Sequence, residues 1–147
     1  MITNDRMILL VEDNVDDEAL TLRALDNYSM VSQIVVAHDG EEALEFLYCS
    51  GSYASRNPAV QPRVVLLDLK LPKRNGFDVL HEMRAHPRTR RIPVVVLTSS
   101  TEQEDLIRAY NFGANSFVRK PVELASFITA VRQLGLYWLT INSAESD

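Results

Sequence analysis

Hydrophobic positions along the chain alternate between two patterns. Short, largely apolar runs occupy residues 7–11, 33–37, 64–67, 92–97 and 116–118, and the first, third and fourth are almost wholly apolar. A strand that presents apolar side chains at every position is buried on both faces, the condition of a central strand in a parallel sheet. Between these runs, residues 16–25, 41–48, 77–85, 102–111 and 124–134 space their apolar side chains three and four apart, most plainly at 124, 127, 128, 131 and 134. Such spacing predicts helices with one buried stripe. Five strands alternating with five helices predict βαβ units, hence a doubly wound α/β fold with helices on both faces of a parallel sheet. Two helix starts carry capping chemistry, Asp39 three residues before Glu42 and Thr101 three before Glu104. Residues 50–62, rich in Ser, Pro, Gly and Asn and charged only at Arg56, read as a surface insertion.

The polar residues that interrupt the pattern fall at the carboxyl ends of the strands. The first run leads into Glu12 and Asp13, the third into Asp68, the fourth into Thr98, and the fifth is soon followed by Lys120 and Pro121. Each alone is an ordinary polar residue ending a strand. In an open parallel sheet, however, the carboxyl ends share one edge, where ligands bind. Three carboxylates gathered there repel, by roughly 4 kcal/mol per pair at 4 Å and an effective dielectric near 20. A cation resolves this, and Mg²⁺ suits a site of one or two carboxylates with water and a phosphate, leaving Asp68 as nucleophile. Phosphoryl transfer further needs donors around the equatorial oxygens, which Thr98 and Lys120 can supply. The Lys120–Pro121 bond tolerates the cis form, which could aim the ammonium inward.

Composition narrows the function classes. The 147 residues, 46% hydrophobic and 24% charged, suit one globular domain. A net charge of −5 with no Lys/Arg run argues against nucleic acid or anionic membrane as partner. Cys49 is the sole cysteine, which excludes an intrachain disulfide or a cysteine-cluster metal site; it reads as helix packing. Charges throughout the first eighteen residues leave no signal-peptide core, and no apolar run approaches spanning length, so a cytoplasmic protein is expected. His38, His81 and His86 are scattered, and Lys73, Arg74, Arg84, Arg88, Arg90 and Arg91 read as solvated surface.

The ordered set Glu12-Asp13, Asp68, Thr98 and Lys120-Pro121 resembles that of bacterial two-component response-regulator receivers. Val11-Glu12-Asp13-Asn14, Leu67-Asp68-Leu69-Lys70-Leu71-Pro72, Asn75-Gly76, Leu97-Thr98-Ser99 and Gly113-Ala114-Asn115 extend the resemblance over residues 6–134. It implies a flavodoxin-like sheet of order 2-1-3-4-5. It also implies that Glu12, Asp13, Asp68 and the backbone carbonyl of Lys70 position Mg²⁺, with Mn²⁺ able to substitute. Asp68 would then take a phosphoryl group from a sensor histidine kinase, and Thr98 and Lys120 would bind the acyl phosphate. Phe117 holds the place of an aromatic, often Tyr in the family, that turns inward as Thr98 moves. Lacking a hydroxyl, it must switch through packing. Lys70 and Ser100, each two residues past a site residue, would flank the phosphoryl group and tune dephosphorylation. Asn75 replaces a frequent Asp, and the 50–62 loop is longer than in the chemotaxis receiver.

Beyond a receiver spanning 6–135, residues 136–147 are too few for an output domain, so signalling by protein binding is expected. Leu136, Tyr137, Trp138, Leu139 and Ile141 make an apolar segment that, with the long loop, resembles the single-domain regulators of bacterial and cyanobacterial phytochromes. A phytochrome kinase as partner and a homodimer through this arm are the corresponding expectations; the downstream protein is not specified. Two competing readings differ in particular residues. Aspartyl-phosphate hydrolases of the haloacid-dehalogenase type require an Asp two residues after the nucleophile, where Lys70 stands. A phosphate-independent receiver-like module would typically lack the acidic pair or the nucleophile, and both are present.

Overall fold

In a computed structural model, described here for residues 7–26, 31, 33–99 and 103–134, five strands and five helices alternate along the chain. They are β1 (Met7–Val11), α1 (Val15–Leu25), β2 (Gln33–Ala37), α2 (Gly40–Tyr48), β3 (Val64–Asp68), α3 (Gly76–Ala85), β4 (Val94–Thr98), α4 (Gln103–Asn111), β5 (Ser116–Arg119) and α5 (Leu124–Gln133). All pairings are parallel and the strand order is β2-β1-β3-β4-β5. The flavodoxin-like receiver order expected from the resemblance is the one found.

Every residue of β1, β3 and β4 is buried, whereas β2, at one edge, begins exposed. Period-two alternation divides these strands between two cores. Met7, Leu9, Val11, Val65, Leu67, Val94 and Val96 face Phe46, Leu47, Leu80, Met83 and Ala109 from α2, α3 and α4. Ile8, Leu10, Val64, Leu66, Val95 and Leu97 face Leu25, Phe127 and Val131 from α1 and α5. Each such aliphatic side chain contributes about 1.5–3 kcal/mol when fully buried, which is why the central strands tolerate no polar residue until they reach the sheet edge.

Strand β4 begins two residues later than the apolar run suggested. Pro93 has no N–H for a sheet ladder, and the Ile92 N–H turns instead to the Thr89 carbonyl, 3.0 Å away. The Asp39 cap is present, its carboxylate accepting from Glu42 N at 2.7 Å; Asn14 and Asn75 cap α1 and α3 in the same way. Thr101 lies outside the described residues. Cys49 ends α2 in the left-handed region, φ 54°, with its N–H returning to carbonyls of the last turn. The 50–62 insertion contains a 3₁₀ turn, Gly51–Tyr53. Arg56, its single charge, fastens it: the guanidinium lies 3.8 Å over the Phe46 ring and donates to the carbonyls of Phe46 and Val60.

Arg84 proved to be a half-buried connector rather than part of a solvated rim. It donates to the carbonyls of Gly113, Arg90 and Ile92 and to Asn115 Oδ1, joining α3 to the turns that flank β4.

Two glycines permit close approach near the sheet's carboxyl edge. A Cβ on Gly40 would overlap the Arg74 carbonyl, and one on Gly76 would overlap the Asp68 carbonyl and lie 2.6 Å from Leu69 Cα. The start of α3 thus rests directly on the backbone that carries Asp68. Overpacking of this kind typically costs about 1–3 kcal/mol, so Gly76→Ala is expected to lower the urea midpoint correspondingly. An unchanged midpoint would mean that α3 slides without cost.

Candidate functional site

At the carboxyl edge, β1 and β3 lie side by side, Val11 pairing with Leu67, so the residues that follow, Glu12 and Asp68, are brought together. Asp13 is exposed beside them, and carboxylate oxygens of Glu12, Asp13 and Asp68 all lie within 4.8 Å of one another. Strand β5 brings Lys120 to the same place: its N–H donates to the Thr98 carbonyl at 2.9 Å, just past the Thr98–Arg119 pair. The Lys120–Pro121 peptide is cis. Thr98, the last residue of β4, is buried. Glu12, Asp13 and Asp68 thus lie together at this edge, with Thr98 adjoining through the Lys120 backbone.

The Lys120 side chain, only 9% exposed, places its ammonium 2.7 Å from Glu12 Oε1 and 3.0 Å from both Asp68 Oδ2 and Asp17 Oδ2. Asp17 was not foreseen. It sits in the first turn of α1, where an acidic residue is explained locally by the helix dipole, and nothing in its spacing linked it to a lysine more than a hundred positions away. Asp68 is held from both sides, Oδ1 accepting from Lys70 N at 3.2 Å and Oδ2 from Lys120. Lys70 itself is exposed. Phe117 is half-buried against the α2–α4 core, its ring edge-on to Tyr110 with centroids 4.5 Å apart. Tyr110 and Ile107 leave α4 more than half exposed. Ser100 and residues 136–141 lie outside the described residues.

Charge decides what this site can do. Burial drives the Glu12 carboxyl up to about 7, with Asp68 adding to the rise and Lys120 opposing it. Burial alone would lower Lys120, but Glu12, Asp68 and Asp17 outweigh it and hold the ammonium above its ordinary value. Glu12 is fully buried, and its Oε1 receives no directed hydrogen bond, meeting Lys120 only as an ion pair. One ammonium against four nearby carboxylates leaves net negative charge in an all-oxygen donor set. Such a site fits a hard divalent cation, with room for ligands on the exposed Asp13 side.

The profile of the response regulator receiver domain matches residues 8–132. The chain belongs to the response-regulator receiver family. Among curated relatives it is 41% identical to the probable methanogenesis regulatory protein FilR2 of Methanothrix harundinacea over 92% of this chain and 85% of that one. The response regulator Rcp1 of Synechocystis is 35% identical over 91% and 89% of the two chains; the structure of its Mn²⁺-bound form superimposes with a TM-score of 0.75 over 93% of this chain and 97% of that one. The bacteriophytochrome response regulator AtBRR superimposes with a TM-score of 0.83 at 51% identity, covering 94% of this receiver and 98% of its own length. Among the described residues no helix is long and apolar enough to cross a membrane.

The raised Glu12 pKa makes metal-free stability pH-dependent. Below the unfolded value of 4.5, Glu12 is protonated in both states. From there to about 7 the unfolded chain ionises first, so the native state loses stability as pH rises, by on the order of 3 kcal/mol from this group. With metal chelated, wild type should therefore be more stable relative to Glu12→Gln at pH 5 than at pH 8, measured by urea denaturation. A difference that stays flat would show that Glu12 ionises as it does in water.

Proposed function

We propose that this receiver is a single-domain response regulator that accepts a phosphoryl group on Asp68, with Mg²⁺ held by Glu12, Asp13, Asp68 and the Lys70 carbonyl. One observation carries the reading: a nearly buried carboxylate at the end of a central strand, with an ammonium at 3.0 Å and two further carboxylates in reach of a shared cation. In the transfer, an Asp68 oxygen attacks phosphorus in line, a P–O bond forms, and the P–N bond to the kinase histidine breaks as the imidazole leaves. Lys70 N–H and Lys120 fix the attacking carboxylate. Thr98 and Lys120 then take the equatorial oxygens, where donors stabilise developing charge most. Bound Mg²⁺ would neutralise the approaching phosphoryl oxygens; Mn²⁺ in the Rcp1 structure supports a divalent ion of this kind here.

The hydrolase alternative would require a carboxyl group two residues after the nucleophile to act as acid and base. Lys70 at that position supports signalling instead. The identity with AtBRR supports a phytochrome-class histidine kinase as donor. Readout is by binding, through the surface of α4, β5 and α5, where Phe117 and Tyr110 stand, while Lys70 and Ser100, each two residues past a site residue, would set how long the signal lasts. Incubation with acetyl phosphate and Mg²⁺, read by intact mass, should add one phosphoryl group to wild type and none to Asp68→Asn, whose amide cannot act as the nucleophile. Undiminished labelling of Asp68→Asn would move the acceptor elsewhere.

The same reading includes residues 136–147 as a dimerisation arm. Side chains such as Tyr137 and Trp138 carry about 150–250 Å² each, and left in water with Leu136, Leu139 and Ile141 they would make a patch at or beyond the few hundred Å² a monomer usually exposes. A groove of about 360 Å³ beside β5 and α5, lined by Phe117, Val118, Ala125, Thr129 and Ala130, supplies a receptor surface for a partner's arm. An isologous pair would follow from mutual exchange. Light scattering over a concentration series should give a dimer for wild type and a monomer both for Trp138→Ala and for a chain ending at Gly135. A truncated chain that dimerises as well as wild type would sink the arm.

A further inference from the structure

The ammonium of Lys120 carries three N–H donors and stands within 3.0 Å of three carboxylates, those of Glu12, Asp17 and Asp68. In this arrangement two of the donors are directed at Asp17 and Asp68, and the ammonium meets Glu12 as an ion pair. Two of its partners, Glu12 and Asp68, belong to the trio whose oxygens converge for a cation; the third, Asp17, touches the ammonium without belonging to that trio. A divalent cation and the ammonium therefore compete for the same two carboxylates. If Lys120 had only those two partners, metal entry would leave a nearly buried ammonium without compensation, a penalty of several kcal/mol for an unpaired ion. Asp17 removes that penalty because it lies outside the contested pair and its own side chain is one-third exposed.

We infer that Asp17 is a positioning residue for Lys120: it holds the ammonium while a divalent cation occupies Glu12, Asp13 and Asp68, so that metal entry and lysine release form a single exchange. The placement of Asp17 suits the role. Its backbone N–H is tied to the Asn14 side chain at 2.9 Å, in the first turn of a helix whose start is fixed by the end of β1. The backbone that carries this carboxylate is thus anchored to the same segment that supplies Glu12 and Asp13. The inference rests on the cation site proposed above and adds a residue to its working.

The test is Mg²⁺ affinity by titration calorimetry on the full chain, for wild type, Asp17→Asn, Lys120→Ala and the double variant. Asp17→Asn should weaken Mg²⁺ binding about three- to tenfold, and Lys120→Ala, which removes the competitor, should strengthen it. In the Lys120→Ala background the Asp17→Asn effect should shrink to less than about twofold, because its route through the lysine is gone. Equal weakening in both backgrounds would reduce Asp17 to a through-space charge and overturn the inference, as would an unchanged affinity for Asp17→Asn alone. Wild type that binds no Mg²⁺ would instead overturn the cation site, and this inference with it. Lys120→Met, which keeps more of the side-chain packing, replaces Lys120→Ala should thermal melts show the latter unfolded, and the same outcomes decide.

Discussion

A single ammonium surrounded by carboxylates is the constraint on which the functional edge depends. Glu12 and Asp68 are buried where strands β1 and β3 stop, and two carboxylates in a medium of low polarity repel by several kcal/mol. Lys120 offsets that repulsion, reaching Glu12, Asp68 and Asp17 at once. The compensation is incomplete, which is why Glu12 is driven upward while Lys120 remains firmly charged. The fold thus holds together an excess of negative charge that a divalent ion can relieve. Stability and ligand affinity are set by the same atoms.

The scaffold keeps these atoms in place through close backbone approach rather than through additional side-chain bonds. Gly76 lets α3 sit on the Asp68 carbonyl, its N–H donating to the Leu69 carbonyl at 2.8 Å, and Gly40 lets α2 sit on the Arg74 carbonyl. Farther out, Arg56 pins the insertion to α2 and Arg84 pins α3 to the turns around β4. Each guanidinium donates to several carbonyls at once, which its rigid fork of N–H groups suits. The strands therefore end at fixed heights, and the carboxylates they carry inherit that precision.

The route from the site to the surface is short. Lys120 and Thr98 are joined through the backbone, and Phe117 lies three residues earlier on the same chain segment, its ring against Tyr110 of α4. That ring contact joins β5, the strand that leads to Lys120, to an exposed residue of α4. Without a hydroxyl on Phe117, what the strand can transmit is a change of packing and of exposed apolar area.

The order of elements, the parallel sheet and the principal site were legible in the sequence, because each rests on local chemistry. Wholly apolar runs mark strands buried on two faces, and polar residues placed where those runs stop must gather on one edge of a parallel sheet whatever the loops do. Glu12, Asp13, Asp68, Thr98 and Lys120 could be read for that reason. Asp17 could not: in sequence it is one more acid at a helix start, and only the tertiary packing that brings the Lys120 ammonium to the first turn of α1 makes it a partner of Lys120. Arg84 likewise reads as surface in sequence, since a charged residue declares its burial only through the carbonyls that surround it. The late start of β4 followed from Pro93 and was decided by hydrogen bonding rather than by hydrophobicity. Periodicity and residue chemistry fix what lies along each element; distances between charges from remote segments arise only when the helices pack, and those distances determine how the carboxylates share one ammonium.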